Sequence, residues 1–452
     1  MSLSSDVLEQ IRQELGLTTE EFCQKLDVRL DDYSTFVTAD DLSNFPPAAI
    51  NKLRGIMLDM EHEHVEKFKD RIPMQSHGHF AGSKILMHFD KLAQSQSDPE
   101  QVGPITVEFH PTNLCNHRCP ACTFGIPERE RQLTNVSFDV GLLPGLIEDL
   151  QEFQVRGIDI SGGGEPLMHQ DISSMITRFH EGGFDVGLVT NGSRLNDEHD
   201  GDWATEVRQT ILQHCTWCRI SVDAGSQAVY ERMHGRTPAV SFDSLTAAIR
   251  GLGAEKVKQR SGTTLGVSFL LTPDNFLDLI KSICMFRDMP GLDYFQIKPI
   301  VIAPVERVNH PNMIFWDERL FDALVTARAY SKPAFKVYTL GFKFIDMLLN
   351  EATGLPFRKC WGHPFYPTIC ADGTVVVCCH MLNSLLDGNE VGSYGRITST
   401  RRFRDVWTDP NRWQVGSNIN VRLCPSNCKL SETNKVLEQI QAASPLHINF
   451  IG

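Results

Sequence analysis

The sequence predicts an α/β protein whose centre is a partial (β/α)6 TIM-like barrel. Two observations lead to this prediction: six short apolar segments alternate with amphipathic helical stretches, and a loop with three closely spaced cysteines follows the first segment. A helical region precedes the barrel, and a second cysteine-rich region follows it. We expect four parts: a helical N-terminal domain at 1–100, the barrel at 101–310, a helical connector at 311–345 and a metal-binding domain at 346–452.

The composition is that of a globular protein with an acidic balance. Of the 452 residues 41% are hydrophobic and 22% are charged, and 43 basic against 56 acidic residues give a formal net charge of −13. A surplus of acid disfavours binding to phosphate backbones, so we expect no nucleic acid partner. The apolar run LGVSFLLT is far shorter than the ~20 residues of a membrane-spanning helix, and the N-terminus has no signal-peptide core. We therefore expect a cytoplasmic protein without membrane contact, in which 13 cysteines favour metal binding over disulfides.

The first hundred residues predict short helices. SSDVLEQIRQELG ends at Gly16, and TTEEFCQKLDV begins at Thr18 and Thr19 with acids in its first turn. The order of these helices resembles the helix-turn-helix domain of phage-repressor-type regulators. At the position of the recognition helix, Asp31 and Asp32 would repel DNA phosphates. We therefore expect a docking or substrate-covering domain, through which the chain meets a partner protein or self-associates.

Six strands are predicted from residue 104 onward. They lie at 105–109, 157–161, 185–190, 218–223, 265–271 and 294–299. Helical stretches such as LLPGLIEDLQEF and SLTAAIRGLGAEK separate them. Successive βα units build a parallel sheet, in which chemistry collects at the carboxyl ends of the strands. The cysteine loop lies just beyond the first strand and therefore at that edge.

The stretch CNHRCPAC places Cys115, Cys119 and Cys122 in a C-x3-C-x2-C spacing. Structural zinc and iron–sulfur sites usually have four protein ligands. Three thiolates on a four-iron cluster leave one iron open to a small molecule. A zinc knuckle or a chance cluster is the alternative, but the strand before the loop and the later motif SGGGEP favour the open cluster.

This motif closely resembles that of the radical SAM superfamily. In that superfamily the open iron binds the amino and carboxylate groups of S-adenosylmethionine, and an electron from the cluster cleaves a carbon–sulfur bond. The resulting 5′-deoxyadenosyl radical takes a hydrogen atom from the substrate. The resemblance covers roughly residues 104–300. It implies a [4Fe–4S] cluster on Cys115, Cys119 and Cys122, S-adenosylmethionine as cofactor, and a flavodoxin- or ferredoxin-type electron donor.

The resemblance also implies contacts to S-adenosylmethionine. Gly163, Gly164 and Glu165 match the GGE motif that meets the methionine amino group. Small residues permit close approach of the backbone, and a carboxylate suits an ammonium. The superfamily often has an aromatic residue just before the third cysteine, to pack on adenine. Here that residue is Ala121, and Phe124 is the nearby substitute.

Further residues follow at the ends of later strands. Ser221 and Asp223 lie where the superfamily places contacts to the methionine carboxylate and the ribose, although capping is their alternative role. Arg232 or Arg236 is expected to pair with the carboxylate, and the sequence leaves the choice open. Three polar residues of the presumed cavity are candidates for substrate contact or acid–base catalysis: Glu108, Asp159 and Lys298.

The C-terminal region predicts a second metal site. Its six cysteines are Cys360, Cys370, Cys378, Cys379, Cys424 and Cys428. A C-x12-G-x4-C pattern, with Gly373 in a D-G hairpin turn, is similar to the C-terminal domain of SPASM and twitch radical SAM enzymes. Because a full SPASM domain has more cysteines, the resemblance implies a twitch domain with one auxiliary [4Fe–4S] cluster. The expected ligands are Cys360, Cys378, Cys424 and Cys428, with Cys370 or Cys379 as a replacement and zinc as the alternative metal.

The twitch resemblance also implies a substrate class. Such enzymes often dehydrate, oxidise or epimerise an alcohol carbon of aminoglycosides or other carbohydrates. We therefore expect hydrogen abstraction from a small carbohydrate-like molecule, and an acidic protein suits a cationic aminosugar. Two alternatives stay open. A SPASM-like maturase of a ribosomally made peptide is disfavoured by the helical N-terminus, and an iron–sulfur sensor is disfavoured by the intact GGE motif.

Overall fold

Within the described residues of the computed structural model, ten strands form one sheet. The structure describes residues 15–39, 82–120, 135–235, 241–301, 318–341, 343–347, 354–382 and 391–442, with isolated positions between them that include Cys122 and Phe124. The strands are β1 (Thr106–Phe109), β2 (Gly157–Ile160), β3 (Asp185–Thr190), β4 (Trp217–Ser221), β5 (Thr264–Leu271), β6 (Tyr294–Pro299), β7 (Lys336–Thr339), β8 (Thr368–Ile369), β9 (Thr374–Val376) and β10 (Ser393–Arg396). Their order in the sheet is β10-β9-β8-β1-β2-β3-β4-β5-β6-β7.

In the described residues, helices lie before, between and after the strands. They are α1 (Thr19–Leu26), α2 (Leu30–Ala39), α3 (Phe89–Ser97), α4 (Leu143–Glu152), α5 (Ile172–Glu181), α6 (Asp197–His214), α7 (Gln227–His234), α8 (Phe242–Gln259), α9 (Leu279–Arg287), α10 (Glu318–Ala329), α11 (Phe403–Trp407), α12 (Pro410–Ser417) and α13 (Ser431–Ala442). Short 3-10 turns lie at Gly82–Met87, Val140–Leu142, Pro166–Met168, Phe276–Asp278, Cys379–Met381 and Val421–Leu423. None of the helices in the described part of the chain is both long and apolar enough to cross a membrane.

The first seven strands form a parallel barrel sheet whose outer face is covered by helices. Alternate strand residues, such as Val107 and Ile158, pack with helix residues such as Leu146, Met175 and Phe179 in one fully buried core. Because side chains alternate across a strand, the residues between them face the interior of the barrel. The predicted α/β partial barrel is therefore confirmed, including all six predicted strands.

Two details differ from the sequence-based prediction. The connector predicted as helical contains α10, but residues Lys336–Thr339 form β7 instead, because KVYT pairs in parallel with β6. The fourth strand ends at Ser221 and not at residue 223, because Asp223 has a φ of 55°, which takes the chain out of the extended conformation.

The C-terminal region extends the barrel sheet. Strand β8 pairs in parallel with β1 and antiparallel with β9, so the predicted hairpin is confirmed. Its turn contains Gly373 with a φ of 86°, a conformation that favours glycine. The region is also tied to α4, because Arg402 and Arg404 contact the buried carboxylate of Asp149 at 2.6 and 3.0 Å. A buried carboxylate needs such partners.

The described N-terminal residues confirm two of the predicted helices. Thr18 caps α1 in a reciprocal arrangement with Glu21, as the sequence of that turn predicts. Asp31 and Asp32 lie in the first turn of α2, and Asp32 pairs with Arg29 at 2.8 Å. The SSDVL segment falls largely outside the described residues.

Candidate active site

The three cysteines of the first loop lie together beyond β1. The amide of Cys122 donates to the carbonyl of Cys119 at 3.1 Å and closes a turn. Burial raises the pKa of the Cys119 thiol well above its usual value, and the neighbouring Cys122 and Cys115 raise it further. A bound metal supplies the positive charge that three adjacent thiolates need, so the loop fits a cluster with three protein ligands.

The glycines of the GGE motif lie against the segment that leads to Cys115. A Cβ added at Gly164 would lie 2.2 Å from the carbonyl oxygen of Leu114, and one at Gly163 would lie 2.4 Å from the Asn113 side chain. Real side chains do not tolerate such distances. Because Gly163 and Gly164 have no side chains, the segment after β2 can lie close to the cysteine loop. The sequence motif alone did not show this structural role of the glycines.

Glu165 lies at the carboxyl end of β2 and is buried. Its carboxylate accepts hydrogen bonds from the amide of Leu167 at 3.0 Å, the hydroxyl of Thr190 at 2.5 Å and the amide of Asn191 at 2.6 Å. Burial raises the pKa of Glu165 to about 7, although these donors act in the opposite direction. An adjacent ammonium would favour the charged form. Glu165 therefore fits the amino group of the methionine moiety.

Sequence reasoning missed two histidines beside the loop. His234, at the end of α7, has Nδ1 3.2 Å from the sulfur of Cys119 and Nε2 2.8 Å from the carbonyl of Val222. Ligand atoms of His117, Cys119 and His234 all lie within 4.8 Å of one another. His117 stands between the cysteines in the sequence and was a visible signal. The position of His234 depends on how α7 packs, which no local pattern gives.

Ser221 and Asp223 lie at the end of β4. The Ser221 hydroxyl is 3.3 Å from that of Ser268 on β5. The buried Asp223 carboxylate accepts from the amide of Leu270 at 2.6 Å, and its other oxygen is 3.5 Å from Nε2 of His234. His234 therefore joins Asp223 to the cysteine loop.

The remaining residues expected near S-adenosylmethionine are placed less centrally. Arg232 is exposed and donates to the carbonyl of Asp274 at 3.0 Å. Phe124 packs edge-on against His110, with ring centroids 5.4 Å apart. Arg236, the other arginine expected to pair with the carboxylate, lies outside the described residues, as does Ala121.

The radical SAM superfamily model matches residues 109–282. This range begins at the end of β1 and includes the cysteine loop and the GGE turn. The chain carries a radical SAM domain. The cofactors of this superfamily are a [4Fe–4S] cluster and S-adenosylmethionine, and the cysteine loop and Glu165 fit both groups.

Known proteins resemble the chain beyond this domain. A tungsten-containing aldehyde ferredoxin oxidoreductase cofactor-modifying protein from Pyrococcus furiosus is 25% identical over 66% of this chain and 79% of that protein. A GTP 3′,8-cyclase from Xanthomonas axonopodis pv. citri is 32% identical over 37% of this chain, which spans only 48% of that relative. The solved structure of Streptococcus suis SuiB bound to precursor peptide SuiA covers 88% of both chains with a TM-score of 0.52 and 14% identity, which shows a shared fold alone.

Two candidate acids of the radical SAM domain form one buried network. Lys429 donates to Glu108 and to Asp159, each at 2.9 Å. His110 Nε2 is 3.0 Å from Glu108, and the hydroxyl of Tyr366 donates to Asp159. Burial alone would raise the pKa of Glu108, but Lys429 and His110 outweigh it and hold that pKa well below its usual value. Glu108 is therefore charged, and both acids are already paired with Lys429.

Lys298 is placed differently from these acids. It lies half-buried on β6, on the inner face of the barrel. Burial lowers its pKa to about 7, the neighbouring Arg219 lowers it further, and Asp223 acts against both. Sequence reasoning missed Arg219, although a charged residue in the middle of WCRIS was a signal.

The six C-terminal cysteines are all at least partly buried. Burial raises the pKa of Cys378 well above its usual value, and nearby cysteines raise it further: Cys379, Cys428, Cys360 and Cys424. Cys424 is affected by burial first and then by Cys428 and Cys360. After burial, the strongest influence on Cys379 is Glu108, and that on Cys370 is Asp372. Cys360, Cys424 and Cys428 pack in one apolar cluster. The assignment of Cys360, Cys378, Cys424 and Cys428 as metal ligands stays a prediction, as does the role of Cys370 or Cys379 as a replacement.

Proposed function

We propose that this protein is a twitch-type radical SAM enzyme that takes a hydrogen atom from a small carbohydrate-like molecule, in the cytoplasm and with a flavodoxin- or ferredoxin-type electron donor. The observation that supports the proposal is the position of the cysteine loop and Glu165 at the carboxyl edge of a barrel with a polar interior. A polar interior suits a ligand rich in hydroxyl groups, because each buried polar group needs a partner.

Each part of the site has a role in this proposal. Cys115, Cys119 and Cys122 would hold the cluster, and Glu165 would bind the ammonium of S-adenosylmethionine. When bound, these cofactors supply a 5′-deoxyadenosyl radical that abstracts hydrogen from carbon. The barrel walls exclude water from the reacting carbon, and inner polar residues orient the substrate.

The proposed reaction is dehydration, oxidation or epimerisation at an alcohol carbon, with aminoglycosides and other carbohydrates as the substrate class. The four clustered C-terminal cysteines support an auxiliary cluster with a complete set of protein ligands. A complete set leaves no position for substrate, so this group would be structural or would accept an electron.

Production of 5′-deoxyadenosine from S-adenosylmethionine tests the radical step. The anaerobically reconstituted protein with a strong reductant should form it, and a variant with Cys115, Cys119 and Cys122 all changed to alanine should not. Cys284→Ala is the matched control, because Cys284 is exposed on α9. Product formation by the triple variant would contradict the assignment of the cluster.

Isotope transfer tests the substrate class. With carbohydrates and aminoglycosides deuterated at ring carbons, deuterium should appear in 5′-deoxyadenosine. Transfer from a peptide alone would show that the carbohydrate proposal is wrong.

A further inference from the structure

Arg219 on β4 and Lys298 on β6 place two positive charges on the inner face of the barrel. Their chain neighbours Ile220 and Ile297 pack in the helix-covered core. Because side chains alternate along a strand, Arg219 and Lys298 point to the opposite face. Through β5, Arg219 is level with Gly266 and Lys298 is level with Leu270. Lys298 therefore begins about 13 Å nearer the carboxyl edge, and both side chains extend along the inner face of the barrel.

Two other lysines of the molecule have acidic partners. Lys429 contacts Glu108 and Asp159 at 2.9 Å each, and Lys435 contacts Asp346 at 2.5 Å. Among the described residues, neither Arg219 nor Lys298 forms an ion pair or a side-chain hydrogen bond of this kind. Burying a positive charge inside a barrel without a counter-charge costs free energy, unless a ligand supplies the opposite charge.

The acid that attracts Lys298 also interacts with other groups. Asp223 attracts Lys298, but one of its carboxylate oxygens accepts from the amide of Leu270 at 2.6 Å. The other oxygen faces His234 at 3.5 Å. The negative charge of Asp223 therefore also acts on the amide of Leu270 and on His234, the histidine that contacts Cys119.

Two buried side-chain atoms of this region have no hydrogen-bond partner within the described part of the chain. Nε of Arg219 is buried without a hydrogen-bond acceptor, and the guanidinium lies 5.3 Å from the ring centroid of Trp217. The side-chain oxygen of Gln296, a residue only 2% exposed, is buried without a donor. An anionic oxygen would satisfy Arg219, and a hydroxyl of the same ligand would satisfy Gln296.

A cavity adjoins Arg219. It has a volume of about 740 Å³, and aromatic residues Trp217, Tyr294 and Tyr338 contribute to its walls. Because its walls also include the first residues of β2 and β3, the cavity lies toward the amino ends of the strands. This volume suits a small-molecule ligand. Arg219 precedes Ser221 by two residues and thus lies about 7 Å deeper along the strand. A ligand group beside Arg219 would lie below the carboxyl edge where the cysteine loop is found.

We propose that Arg219 and Lys298 bind an anionic oxygen group of the substrate, a carboxylate or a phosphate, inside the barrel. The inference rests on the proposed function, because the hydrogen donor is the molecule that must be held there. Binding of its anionic end directs the remaining carbons toward Glu165 and the cysteine loop. An acidic sugar or a sugar phosphate fits this arrangement, whereas a cationic aminosugar would meet like charge.

Calorimetric titration of the reconstituted enzyme, saturated with S-adenosylmethionine, tests this proposal. The probes are glucuronate, glucose 6-phosphate, glucose and glucosamine at millimolar concentrations. At least one anionic probe should bind more tightly than glucose. Arg219→Gln should weaken that binding roughly 10- to 100-fold, with no change in the affinity for S-adenosylmethionine. Lys258→Gln, on the exposed face of α8, is the matched control and should bind like the wild type.

The outcomes separate this inference from the proposed function. A preference for glucuronate identifies a carboxylate, and a preference for glucose 6-phosphate identifies a phosphate. Failure of both anionic probes to bind, or equal binding to the wild type and Arg219→Gln, overturns the inference. Loss of affinity for S-adenosylmethionine in Arg219→Gln also overturns it, because Arg219 would then serve the cofactor. In each of these cases, uncoupled formation of 5′-deoxyadenosine by the wild type leaves the proposed function standing, and its absence contradicts that function.

Discussion

The carboxylate of Glu165 is buried between the cysteine loop and the end of β3. Three donors hold it in one orientation, and burial nonetheless raises its pKa to about 7. The free-energy cost of removing the Glu165 carboxylate from water is incurred when the protein folds. An incoming ammonium therefore meets a carboxylate that is already fixed in place.

Glu165→Gln should weaken binding of S-adenosylmethionine roughly 10- to 100-fold, since a charge-assisted hydrogen bond to the ammonium is lost. Equilibrium binding of S-adenosylmethionine to the reconstituted protein measures the effect. Glu206→Gln, at an exposed position of α6, is the matched control. An unchanged dissociation constant in Glu165→Gln would remove Glu165 from the cofactor site.

Lys298 gives the anion site a pH dependence. Its pKa of about 7 reflects burial and the nearby Arg219, Lys343 and Lys429, against the attraction of Asp223. Affinity for glucuronate should therefore fall as the pH rises from about 6 to about 8, because the ammonium loses its proton while Arg219 keeps its own. Titrations at several pH values measure this.

Lys298→Arg provides the control for this pH effect. A guanidinium stays charged over the whole range, so glucuronate binding to the variant should not vary with pH. Equal pH dependence in the variant would mean that another group titrates. The lowered pKa of Lys298 also affects stability: the unfolded chain binds more protons between pH 7 and the ordinary value of 10.5, so stability rises with pH in that interval.

Among the structural elements, the segment before α13 connects the cysteine-rich region to the barrel. Lys429 follows Cys428 directly and contacts acids on both β1 and β2. Its ammonium also lies 4.2 Å from the ring centroid of Tyr366. One lysine thus fixes the segment of the expected auxiliary ligands against two barrel strands.

Lys429→Met should destabilise the protein by about 3 kcal/mol, because it leaves Glu108 and Asp159 buried without their cation. The Lys429 side chain is 38% exposed, so its loss costs less than the loss of a fully buried partner. Urea unfolding of the reconstituted protein measures the change, with iron content as a check that clusters are retained. Adding Asp159→Asn should restore part of the loss, and additive effects of the two changes would show that the ion pair is not the cause.

On the scale of the whole molecule, the radical SAM domain and the C-terminal region share one continuous sheet. Strand β8 adds to β1, so the hairpin around Gly373 is an extension of the barrel and not a separate layer. The hairpin that leads to Cys378 is therefore hydrogen-bonded to the barrel sheet itself.

The fully reconstituted protein should contain about eight irons per chain, from two four-iron clusters. Cys424→Ser should lower this to about four, whereas Cys370→Ser should leave it unchanged, because Cys370 is not among the four clustered cysteines. Iron and zinc analysis per chain measures both. About four irons together with one zinc in the wild type would favour the zinc alternative for the second site.

The sequence alone determined the elements of the barrel and the first cysteine loop. Strand and helix periodicity are local properties, so six strands were predicted within about two residues of their observed ends. The C-x3-C-x2-C spacing and the GGE motif are also local, because a few consecutive residues supply both. The D-G turn at Gly373 was visible for the same reason.

Tertiary structure decided which distant residues meet. Strand β7 was missed because four residues show little periodicity until β6 lies beside them. Lys429 reaches Glu108 and His234 reaches Cys119 across long stretches of chain, and no sequence pattern specifies such contacts. Arg219 stood in the sequence as one charged residue in a strand. Only the packed barrel shows it to be a cation without an acidic partner among the described residues, since pairing depends on what every neighbouring strand contributes.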